Sequence, residues 1–79
     1  MNIAWLVWFE ENPSAKPETT LENAARRYTE KFGAAPNRAR VPLDWPESAP
    51  TNGLFIERCR HILPRNVHLA LDTSLRREV

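Results

Sequence analysis

The sequence predicts a single small α+β domain: three to four strands in one sheet with one helix on one face. Three observations carry this. An apolar, aromatic-rich run, "AWLVW", stands near the start; one clean amphipathic helical stripe follows; the second half alternates apolar and polar residues in short pieces between prolines. The chain has 79 residues, 42% apolar and 27% charged, which suits one folded domain, residues 1–79, with residues 73–79 as a frayed tail.

Residues 2–9 form the first predicted strand. Ile3, Trp5, Val7 and Phe9 would line one face and Ala4, Leu6 and Trp8 the other. The run is short, rich in aromatic and β-branched residues, and has no helix N-cap. Apolar on both sides, it reads as a central strand covered on both faces. It is too short to span a bilayer and lacks the basic flank and small-residue cleavage site of a signal peptide, so the expected setting is cytoplasmic and without a membrane.

A polar connection with Pro13 and Pro17 leads to a helix expected over 20–32. Thr19 and Glu22 have the spacing of a capping box. Leu21, Ala24, Ala25, Tyr28 and Phe32 make one apolar stripe, Lys31 suits the negative end of the helix dipole, and Gly33 suits the left-handed cap. Arg38 to Leu43 alternates as a half-buried strand, and Pro42, lacking an amide donor, points to a sheet edge. Residues 44–53 read as a loop in which Trp45 folds back over a core edge. Beyond it, a hairpin of 58–63 with 67–71 is expected, with Leu54–Ile56 as extended lead-in; a helix over 54–62 is the alternative.

The composition narrows the function. Net charge is +1, so no strong field draws in nucleic acid or an anionic surface. One cysteine, Cys59, excludes an internal disulfide. Cys59, His61 and His68 lack the paired spacing of a structural zinc site, so no metal or other cofactor is expected. Arg58 and Arg60 flank Cys59 but would point away from it on a strand, and Ser14, Ser48 and Ser74 have no nucleophile-elbow context. Asp44 and Asp72 give no sign of a catalytic cleft, and two isolated glycines cannot cradle a phosphate. No catalytic residue and no small-molecule substrate is assigned.

Two readings remain. In the first, the chain is a non-catalytic interaction module, a homo-oligomer or the binder of a protein partner. Its interface would hold Ala4, Leu6, Trp8 and Trp45, because one helix covers only one face of a sheet whose first strand is apolar on both. In the competing view of that surface, the loop around Trp45 completes a monomeric core. The second reading is a small nucleic-acid binder using Arg38, Arg40, Arg58 and Arg60 on a sheet face, with aromatic side chains to stack on bases.

The stretch "AARRYTEKFGAAPNRARV" followed by "ILPRNVHLAL" resembles small uncharacterised α+β proteins of bacterial and mobile-element genomes, in which a helix ending in an aromatic-Gly pair is followed by a Pro-led strand, an "LP" turn and a final strand. The resemblance covers about half of the chain. It implies a prokaryotic or phage origin and transfers no activity and no functional residue.

Overall fold

The computed structural model describes residues 4–73. The elements run β1 (Leu6–Phe9), α1 (Pro17–Phe32), β2 (Arg38–Val41), β3 (Phe55–Arg58) and β4 (Asn66–Ala70). The four strands form one sheet in the order β1-β4-β2-β3. β4 is antiparallel to both of its neighbours, β1 and β2, while β2 and β3 are parallel. The domain is α+β, with one helix on a four-stranded mixed sheet. The expected frayed tail lies, apart from Thr73, outside the described residues.

The helix begins a turn earlier than the capping-box spacing predicts. Lys16 is the N-cap, with no side-chain cap bond, and Pro17 opens the first turn. Proline's fixed φ and missing N–H suit that position, so Pro17 starts the helix and Thr19 falls inside it. The stripe behaves as read. Leu21, Ala24 and Tyr28 are buried and Ala25 packs beside them. Phe32, at the end, is exposed and leans on the Tyr28 ring at 4.6 Å. Gly33 takes the left-handed cap, φ 76°, and its N–H reaches Thr29 O at 2.8 Å.

Three strand placements depart from expectation. β1 is an edge strand, paired with β4 alone. β2 is central rather than at the edge; it stops at Val41, so the missing donor of Pro42 falls just beyond the ladder. The 58–63/67–71 hairpin does not form, and neither does a helix over 54–62. Residues 55–58 run parallel to β2 instead, and the chain turns through 59–65, where Ile62 is buried and Arg65 sits at φ 66°. That turn carries the chain from β3 past β2 to the slot between β1 and β2, where Val67 and Leu69 become fully buried.

The core lies on one face of the sheet. Leu69 and Val67 of β4 meet Leu21, Ala24 and Tyr28 of the helix. The register places Leu6 and Ala39 opposite Leu69, Trp8 opposite Val67, and Ile56 opposite Ala39, all on this side. The crossover loop 42–54 packs on the same side: Trp45 and Leu54 join the cluster, and Arg58 Nε donates to Trp45 O at 2.9 Å. Trp45 therefore folds over the core as expected. Leu6 and Trp8 also pack against the core, which corrects the expectation that they form an open interface.

Candidate functional site: the open sheet face

Strand alternation sends the remaining residues to the other face. Its rows follow from the register. Val7, His68, Arg40 and Glu57 make one row across all four strands. Ala70, Arg38 and Phe55 make a second, which Trp5 joins when the β1 register is continued by one residue. Phe9 and Asn66 begin a third. Neither the helix nor the crossover loop lies on this side. Val7 is 59% exposed, Phe9 48% and Phe55 52%.

The middle of the face is a fastened charge cluster. Arg38 donates from Nε (2.9 Å) and Nη2 (2.8 Å) to Glu57 Oε1, and from Nη1 to Asp72 Oδ2 at 2.6 Å. Arg40 Nε reaches the same Glu57 oxygen at 3.4 Å. Desolvation alone would raise the Glu57 pKa; the hydrogen bond and charge of Arg38, then those of Arg40, outweigh it and hold the carboxyl below its ordinary value. The Glu57 hydrogen bond likewise raises Arg38, against its own desolvation and with help from Asp72.

Two aromatic rings sit on guanidinium groups. The Trp5 ring lies 4.4 Å from Arg40 Cζ and 5.7 Å from Arg38 Cζ, both within cation–π range. Arg65 stands over Phe9 at 5.0 Å. Trp5 thus leans from the edge strand across β4, where Ala70, fully buried, is small enough to leave it room. His68 sits beside Arg40. Desolvation first, then the charges of His61 and Arg40, hold its pKa below the ordinary imidazole value.

The candidate residues scatter. Of the four arginines, Arg38 and Arg40 share this face; Arg58 turns to the core side and binds Trp45 O, and Arg60 lies beyond β3 in the turn. Ala4 is exposed, while Leu6, Trp8 and Trp45 belong to the core side. Cys59 and His61 lie in the turn between β3 and β4, and the charge of His61 is felt at His68. Cys59 Sγ points to Glu57 O at 3.9 Å. Among the described residues, no three His, Cys, Asp or Glu side chains gather as a metal site, and no helix is long and apolar enough to cross a membrane. The exposed face consists of the odd-numbered residues of β1. Alternation separated them from Leu6 and Trp8, but only the helix's choice of side, which is a tertiary fact, decides which set faces out.

The chain matches no family model, no curated protein and no solved structure. The fold and face define a class: a small α+β domain whose sheet has one mixed apolar and charged face that neither the helix nor the crossover loop covers.

Proposed function

We propose that this chain is a non-catalytic, cytoplasmic protein-interaction module that self-associates through the open face of its sheet. One observation carries the reading: Val7, Phe9 and Phe55 stand about half exposed or more on the one sheet face that helix and loop leave uncovered. Val7 and Phe9 lie side by side on β1, with Phe55 on the opposite edge beyond the charge cluster, and exposed apolar surface of this kind marks interaction sites on small soluble domains. The charges support a second copy as the partner. The face carries Arg40, whose Nη1 and Nη2 make no hydrogen bond or ion pair among the described residues, beside the Glu57 carboxylate. A surface holding both signs can set each charge against its opposite across a two-fold axis. The test is solution mass by light scattering across a concentration series. A dimer that Val7→Glu and Phe9→Glu reduce to folded monomers is the expected result. A monomer at every concentration overturns self-association.

A second reading is favoured by one specific arrangement. Trp5 and Phe9, each paired with a guanidinium, together with Phe55 form an aromatic and cationic surface of the kind on which single-stranded bases stack. It ranks second because Arg38 and Arg40 face the carboxylates of Glu57 and Asp72, two against two, so that only Arg65, over Phe9 at the far end, adds a net positive charge. Phosphate neutralisation needs more than that. Fluorescence anisotropy with a labelled single-stranded oligonucleotide at low salt tests it. Salt-sensitive binding lost in Arg40→Ala favours this reading over self-association; no binding ends it.

A further inference from the structure

At the end of the sheet where β1 stops and α1 begins, a depression of about 220 Å³ opens between the two prolyl connections and the crossover loop. It is separate from the open face. Its wall includes Glu10, Asp44, Thr20, Trp45, Pro17 and Pro42, with Arg65 at its side. The Glu10 side chain is nine-tenths buried. Its Oε2 accepts the Asn12 N–H at 3.2 Å, but Oε1 is buried with no hydrogen-bond partner among the described residues. A buried carboxylate oxygen left unpaired is costly, and such an orphan calls for a missing donor.

No described residue supplies that donor. The Arg65 guanidinium stands over the Phe9 ring and its Nη1 reaches Glu11 O at 3.5 Å, not Glu10. We infer that this pocket binds an alkylammonium group, held by Glu10 with Asp44 as a second carboxylate and the Trp45 indole as an apolar and cation–π wall. The size fits. Pockets for drug-sized ligands run from about 300 Å³ upward, so this one takes a single amine or one lysine side chain. The terminal torsion of a glutamate is broad, so a turn of the carboxylate presents an oxygen at the wall that Glu10 already lines. The connections that form the pocket are stiffened by prolines, which keeps it open without its occupant.

The test is an amide and indole NMR titration of the full chain with n-butylammonium chloride, with n-butanol and sodium chloride as controls. A blocked Gly-Lys-Gly peptide forms a second arm. The expected result is saturable shifts at the Asn12 amide and the Trp45 indole, with a dissociation constant of about 1 mM, the strength so small a ligand allows. Butanol and sodium chloride give none. Glu10→Gln weakens binding about tenfold, and Asp44→Asn, an exposed position that leaves the fold intact, weakens it severalfold. Tighter binding of the peptide assigns the site to a partner's lysine; tighter binding of butylammonium assigns it to a free amine. Shifts that butanol reproduces, or no saturable shift from either amine, overturn the proposal. So does unchanged affinity in both variants.

Discussion

Asn37 and Asp72 exchange two hydrogen bonds: Asn37 Nδ2 donates to Asp72 O at 2.9 Å, and the Asp72 N–H donates to Asn37 Oδ1 at 2.8 Å. The amide side chain thus acts as one more rung of the β2–β4 ladder, just past Ala70, whose carbonyl accepts the Asn37 N–H at 3.0 Å. It also fixes Asp72 where its carboxylate meets Arg38. Asn37→Ala removes both of these bonds from the largely buried Asp72, and the expected loss is about 1–3 kcal/mol. In a domain of this size that lowers the melting midpoint by several degrees. Asn37→Asp keeps the acceptor, loses the donor and brings a second carboxylate beside Asp72, so it is expected to be no better than Ala at neutral pH. Thermal unfolding of both variants checks this, and a wild-type midpoint in either would remove the rung from the account.

Glu57 carries the acid stability of the open face. Its carboxyl is held below the ordinary 4.5 because the Arg38 and Arg40 contacts outweigh desolvation. A lowered carboxyl stabilises the fold fully above the unfolded pKa and loses that contribution as pH falls through the folded value. Glu57→Gln is expected to cost about 1–2 kcal/mol at pH 7 and to flatten the stability profile below pH 4.5. Urea unfolding at pH 7 and across the acid range measures both. An unchanged acid slope would mean that Glu57 does not carry it.

Neighbouring residues of β1 are expected to respond in opposite ways. Leu6 packs against the core, and Val7 is 59% exposed on the open face. Leu6→Glu puts a charge beneath the helix and is expected to cost about 2–4 kcal/mol, a large share of a small domain's stability. Val7→Glu is expected to stay within about 0.5 kcal/mol in the monomer and to act on association alone. Circular dichroism melts separate the two. An unfolded Val7→Glu or an unharmed Leu6→Glu would reverse the assignment of faces.

That pair also marks what could be read from the sequence. The helix was legible because Leu21, Ala24 and Tyr28 repeat at helical spacing and Gly33 closes it; these are local signals. Its start was missed because a Thr19–Glu22 spacing competed with Pro17, whose preference for the first turn prevailed. The strands near 38–41 and 66–70 were legible from alternation, but their partners were not. Val67 and Leu69 alternate identically whether β4 pairs with β3 or slots between β1 and β2, and the buried Ile62 in the preceding turn gives no local hint of the crossing. The double-sided apolar run suggested a central strand. The edge position of β1 instead leaves Val7 and Phe9 outward, so the candidate interface moved from the even to the odd residues of the same strand.

His68 is expected to give the open face a pH response below pH 6.5. Its row places Val7 on one side and Arg40 on the other, with Glu57 beyond Arg40 and His61 close by from the turn. Desolvation is the first reason its pKa lies below the ordinary 6.5, with the charges of His61 and then Arg40 adding to it. A histidine depressed in the fold favours the neutral form. The unfolded chain then takes up its proton first, so stability holds above about pH 6.5 and falls as pH drops through the folded value. His61→Gln and Arg40→Gln each remove one charge and are expected to move His68 part of the way back up. Neither restores it fully, because desolvation remains. A titration of the imidazole Cε1–H by NMR in the three proteins, paired with urea midpoints on either side of pH 6.5, measures the shift and its consequence together. A wild-type His68 titrating at or above 6.5 would mean that the face is open enough to hydrate the charged ring.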